Sequence, residues 1–70
     1  MNFPELMDEI LLILSEKEMT ERELAKILRV ERKILKKVLE FLKEMDFIES
    51  DNLRLRLSES GRKLVELDVY

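Results

Sequence analysis

Arg32, Lys33, Lys36 and Lys37 form two like-charged pairs at a spacing of four, Arg32/Lys36 and Lys33/Lys37. On a helix such pairs stand side by side and cost about 0.2–0.5 kcal/mol each. The chain holds 16 acidic residues against 13 basic ones, yet it places no acid between these four. An anionic partner explains that arrangement; a solvated helix face is the competing explanation. Arg54 and Arg56 stand two apart, which puts both on one face of a strand. Phosphate contact is the chemistry that suits all six cations. Acid–base and nucleophilic chemistry are not indicated. The sequence has no histidine and no cysteine, so the commonest general base and the thiolate nucleophile are missing. Asp8 and Glu9 are adjacent and diverge around a helix, so they make no paired carboxylate site. A zinc site is excluded on the same grounds. No catalytic residue, metal ligand or cofactor site is assigned.

The net charge is −3, but the distribution matters more than the sum. Residues 1–23 carry seven acids and two bases, and residues 24–63 carry eleven bases and seven acids. Seventy residues with 46% apolar content predict a single domain over 1–70. A chain of this size forms a core and has little left to wall a substrate pocket, so an enzyme is not expected. The longest apolar run, Ile10 to Leu14, is far short of the roughly 20 residues that cross a bilayer. No signal-peptide pattern opens the chain. No membrane association and a cytoplasmic location are therefore expected. Abundant Glu, Lys and Arg without glutamine or cysteine resembles a thermophile composition.

The elements that would position the cations follow from periodicity. Phe3, Leu6, Met7, Ile10, Ile13 and Leu14 predict a first amphipathic helix over about 3–16, with Pro4 in its first turn. Thr20-Glu21-Arg22-Glu23 reads as a capping box opening a short second helix, with Leu24, Ala25, Ile27 and Leu28 facing inward. Arg29-Val30-Glu31 is a tight connection. A third helix runs from about Arg32 to Met45, with Ile34, Leu35, Val38, Leu39, Phe41, Leu42 and Met45 on one arc of roughly 160°. The period then changes. Phe47-Ile48-Glu49, the turn Ser50-Asp51-Asn52 and the alternating Leu53-Arg54-Leu55-Arg56-Leu57 predict a hairpin. Its three leucines should pack inward and its two arginines point out. Ser58 caps a last helix, with Gly61 in the first turn and Leu64, Val65 and Leu67 facing inward.

In this order the chain resembles the winged helix-turn-helix family, especially small archaeal and MarR-like DNA-binding regulators. Thr20-Glu21-Arg22-Glu23-Leu24-Ala25 is similar to the entry of the family's second helix, and Val30 to the apolar residue of its turn. Leu35, Leu39 and Leu42 match buried positions of the recognition helix. Asp46-Phe47-Ile48-Glu49 resembles Gly-Leu-Ile-Glu at the wing entry. Leu57-Ser58-Glu59-Ser60-Gly61-Arg62-Lys63-Leu64 resembles Leu-Thr-x-x-Gly-Arg-x-Leu at its exit. Arg29 and Asp46 depart from the pattern, standing where Gly or Asn, and Gly, are usual. The fold implied is mainly α with a small β-hairpin wing, in the order helix, helix, helix, hairpin, helix.

The resemblance implies a transcription regulator that binds double-stranded DNA. The N-terminal residues of its recognition helix would meet base edges. Arg32 can pair with guanine, while Lys33, Lys36, Lys37, Arg54 and Arg56 suit phosphates. Without Asn or Gln on that helix, binding should depend strongly on salt and weakly on sequence. Arg62 and Lys63 open the last helix, where cations oppose the helix dipole. Leu12 and Ile34 widen the apolar surface beyond the family pattern. With Val69 and Tyr70 they are candidates for an interface, and the resemblance implies a homodimer through the first and last helices. The alternative is a winged-helix module that binds another protein and no DNA.

Overall fold

The computed structural model describes residues 1–67. Helix α1 (Phe3–Glu16) begins where the Asn2 side chain accepts a hydrogen bond from the Glu5 N–H at 2.9 Å, satisfying one of the helix's unpaired donors. It buries Leu6, Ile10, Leu11 and Leu14. The buried stripe is therefore rotated toward Leu11 relative to the predicted one. Phe3 lies at the rim, 44% exposed, because the core ends one turn below it.

A two-residue strand, β1 (Met19–Thr20), leads into α2 (Glu21–Leu28). The capping box forms as predicted: Thr20 Oγ1 accepts from the Glu23 N–H at 3.2 Å, and Glu23 Oε1 accepts from the Thr20 N–H at 2.9 Å. Leu24 is fully buried, with Ala25 and Leu28 packed against the core. Ile27, predicted to face inward, is 53% exposed. An eight-residue helix turns only one narrow stripe to the core, and Leu24 and Leu28 occupy it. Arg29 closes α2 in the left-handed conformation, φ 55° and ψ 42°.

Helix α3 (Arg32–Glu44) buries Leu35, Val38, Leu39 and Leu42. It ends through Asp46, also left-handed at φ 61°. Strands β2 (Ile48–Asp51) and β3 (Arg54–Leu57) then form the wing hairpin. Asp51 pairs with Arg54 and Ile48 with Leu57, so the loop is only Asn52-Leu53. Both loop residues have positive φ, 52° and 71°, as a type I′ turn requires. Leu53 was predicted to begin the strand and pack inward. It is instead the second turn residue and 85% exposed, since the turn lifts it off the pleat. β1 adds to the other edge of β3 through Met19–Leu55 and Thr20–Arg54, giving an antiparallel sheet in the order β1-β3-β2. The hairpin is thus part of a three-stranded sheet.

Helix α4 (Glu59–Leu67) starts at Ser58, whose buried Oγ accepts from the Gly61 N–H at 3.0 Å. Ser58 also donates its N–H to the Phe47 carbonyl at 3.0 Å and its hydroxyl to that of Asp46. A Cβ at Gly61 would overlap the Phe47 carbonyl oxygen, so only glycine lets α4 dock on the wing entry. Leu64 and Val65 pack against the core, while Leu67, predicted to face inward, is 73% exposed. It stands at the last turn of α4, past the reach of α1. The architecture is a winged helix-turn-helix: four helices around one apolar cluster, with the sheet closing one side.

Candidate nucleic-acid interface

The turn Arg29-Val30-Glu31 swings α3 across α2, with Leu35 and Leu39 buried against the core and the opposite face in solvent. Arg32 is the first residue of α3. Lys33, Lys36 and Lys37 follow on the outer face, all exposed. The structure therefore brings these four predicted site residues onto one surface. No acid shares the first turn of α3, and Glu31 offers no side-chain cap.

The six cations fall into two electrostatic groups. Arg32 Nη2 lies 2.7 Å from Glu21 Oε2. Arg56 is held twice on the wing, by Glu49 at 2.8 Å and by Asp51 at 3.3 Å. The hydrogen bond to Glu49 and the Coulomb field of that carboxylate raise the affinity of the Arg56 guanidinium for its proton. Arg54 donates to the Glu18 carbonyl oxygen at a long 3.4 Å and so leans toward β1. Lys33, Lys36 and Lys37 have no ion pair among the described residues. Beyond this surface, Lys63 makes a 3.8 Å pair with Glu59 along α4.

The carboxylates of Glu49 and Asp51 were missed as partners of the wing arginines. The signal was in the sequence. With a loop of Asn52-Leu53, Glu49 falls opposite Arg56; Asp51 falls opposite Arg54 but pairs diagonally with Arg56, which the register alone does not give. Opposite charges at facing positions are a usual cross-strand pairing. Glu21 was missed because its contact with Arg32 spans the helix-turn-helix, which no local period reveals.

A concavity of about 400 Å³ opens between α2, α3 and the wing. Leu39 and Leu55 form its floor, and Glu21, Arg22, Arg32 and Lys43 stand around its rim. A second, of about 230 Å³, separates α1 from α4, between Asp8, Leu11 and Leu12 on one side and Leu64 and Val65 on the other. Leu12 is 50% and Ile34 49% exposed, so neither enlarges the core. Phe41, on the predicted apolar arc of α3, meets Phe3 of α1 edge to face at 5.5 Å between ring centres and is 38% exposed. Val69 and Tyr70 lie outside the described residues. Among the described residues no group of three or more acidic, His or Cys side chains is placed to hold a metal ion. No helix there is long and apolar enough to cross a membrane.

Comparison with known proteins adds a family and a fold. An uncharacterized protein of Archaeoglobus fulgidus is 74% identical over all 70 residues, which cover 79% of its length. A double mutant of Lactococcus lactis ZitR superposes with a TM-score of 0.84 at 22% identity, over 93% of this chain and 49% of that one. The adhesin competence repressor AdcR of Streptococcus pyogenes superposes with a TM-score of 0.78 at 21% identity, over 91% of this chain and 53% of that one. The chain thus spans about half the length of these solved structures, and the likeness is one of fold. The MarR-like character expected from the sequence is not what the family comparison returns. The family model that matches, over residues 5–50, is described as "Bacterial regulatory protein, arsR family".

Proposed function

Since this chain belongs to the arsR family of regulatory proteins, we propose that it is a cytoplasmic transcription regulator that binds duplex DNA through α3 and the wing. One observation carries the reading. Lys33, Lys36 and Lys37 project from the outer face of α3 without an acidic partner among the described residues, on the helix that this fold inserts in the major groove. Three ammonium groups on flexible stems, point charges without a directional fork, suit backbone phosphates better than base edges. Arg54, next to the wing turn and beside β1, adds a phosphate contact. Arg56 must exchange its carboxylates for phosphate before it contributes. Each phosphate neutralised adds about −0.9 to the slope of log K against log salt.

The test is fluorescence anisotropy of a labelled random-sequence duplex, titrated at low and at physiological salt. Steeply salt-dependent binding is expected. Lys36→Glu should weaken it at least about ten-fold, by losing a phosphate contact and adding a repulsion, and leave the thermal midpoint unchanged. Binding retained in that variant would remove α3 from the interface.

A second reading, a module for another protein, draws support from a different observation. Phe3, Ile34, Phe41 and Met45 leave a partly exposed apolar strip along α1 and α3, on a chain with net charge −3. No duplex binding at low salt would favour it.

A further inference from the structure

We infer that Glu21 is a positioning residue that orients Arg32 to read a guanine edge. The inference rests on the DNA-binding reading and deepens it by naming what selects sequence at that surface.

Of the four cations on the outer face of α3, Arg32 alone has a partner among the described residues: its Nη2 donates to Glu21 Oε2 at 2.7 Å. The two ends are unequally fixed. The Glu21 side chain is 25% exposed and the Arg32 side chain 54%. Glu21 is the first residue of α2, directly after the N-cap Thr20, whose box with Glu23 is hydrogen-bonded in both directions. The carboxylate is the anchor and the guanidinium the part that is held. An Arg so held has lost rotamer freedom before a ligand arrives, which lowers the cost of ordering it on binding.

The guanidinium carries five N–H donors in a rigid fork. One bond to Glu21 leaves donors for a two-pronged contact with guanine O6 and N7, the commonest specific contact in the major groove. Arg32 also occupies the first position of α3, and it is the N-terminal end of such a helix that meets base edges. Lys33, Lys36 and Lys37 are flexible point charges without this geometry. Glu21 acts a second way: its charge repels nearby phosphates, so it steers Arg32 from the backbone toward the base. The expected signature is a trade, with sequence discrimination raised and total affinity lowered.

The experiment equilibrates wild type, Glu21→Gln and Arg32→Lys with a pool of duplexes carrying a randomised central segment, and sequences the bound fraction. Wild type should enrich a G·C pair at one defined step about ten-fold. Arg32→Lys should lose that enrichment while binding the pool nearly as tightly. Glu21→Gln should bind the pool as tightly as wild type or more so, and also lose the enrichment, with its thermal midpoint unchanged. A merely structural Glu21 would lower the midpoint and leave the base preference intact. If wild type binds without base preference, or Glu21→Gln keeps the wild-type preference, the inference fails and DNA binding stands. If no variant binds any duplex, the DNA-binding reading fails and takes the inference with it.

Discussion

Glu23 shows how much one side chain can do at a helix start. Its carboxylate accepts from the Thr20 N–H and hydroxyl, and these bonds hold its pKa below the ordinary value of 4.5, the backbone bond first and the side-chain bond second. A carboxyl whose folded pKa is depressed stabilises the fold fully above its unfolded pKa. It loses that contribution as pH falls through the folded value. Thermal unfolding between pH 7 and pH 3 should therefore show the gap between wild type and Glu23→Gln narrowing as the solution is acidified below about 4.5. A gap that stays constant would mean that the charge on Glu23 contributes nothing. Gly61 is the opposite case, a residue defined by what it lacks. Gly61→Ala must push α4 off the Phe47 carbonyl. Overpacking of this kind costs about 1–3 kcal/mol, and in a domain this small each kcal/mol lowers the midpoint by about 4–8 °C. Calorimetry of that variant measures it directly.

At the scale of elements, the helices were legible and the corners were not. Leu6, Ile10 and Leu14 of the predicted α1 stripe and Leu35, Val38, Leu39 and Leu42 of the α3 arc are buried, while Phe3, Ile34, Phe41 and Met45 at their edges are exposed, and the capping box located the start of α2 to the residue. Ile27 and Leu67 were misplaced because a short helix has more apolar positions than core to receive them. β1 is two residues long, too short for any period, and exists only because β3 offers a free edge. The sequence predicts the wing hairpin but sets its turn at Ser50-Asp51-Asn52, two residues before the loop Asn52-Leu53 begins. Asn is a natural occupant of a positive-φ turn position, whereas Leu53 gives no sign that it turns the chain. The site divides in the same way. The basic face of α3 needed only the helical period. The ion pairs that tie Arg32 to Glu21 and Arg56 to Glu49 needed the third dimension. The wing turn makes its own prediction. A leucine at φ 71° is strained by about 1–2 kcal/mol, and its exposed side chain has little packing to lose. Leu53→Gly should raise stability by up to about 1 kcal/mol, after the greater freedom that glycine has in the unfolded chain. A lower unfolding midpoint would show that Leu53 makes contacts that outweigh the strain.

For the molecule as a whole, the question raised by the proposed function is how a chain with an excess of acid would hold a polyanion. The acids of residues 1–23 lie mainly along α1 and at the start of α2, and the free lysines lie on α3. A homodimer would double the phosphate contacts, and we propose that it forms along α1 and α4. The support is Leu12, half exposed on α1 beside the groove that separates it from α4. Light scattering at micromolar concentration should give twice the chain mass for wild type and the single mass for Leu12→Glu. A monomeric wild type would rule the pairing out. Dimeric behaviour retained in the variant would move the interface to the strip of Phe3, Ile34, Phe41 and Met45.

Every backbone corner with positive φ among the described residues, at Arg29, Asp46, Asn52 and Leu53, is made by a residue other than glycine. The one glycine of the chain serves packing, not turning. Side chains at these corners narrow the range of shapes open to the denatured chain, so folding sacrifices less disorder than it would with glycines there. An engineer seeking heat resistance by replacing loop glycines would find none to replace. Further hardening would have to come from closing the α1–α4 groove or from better wing-tip chemistry.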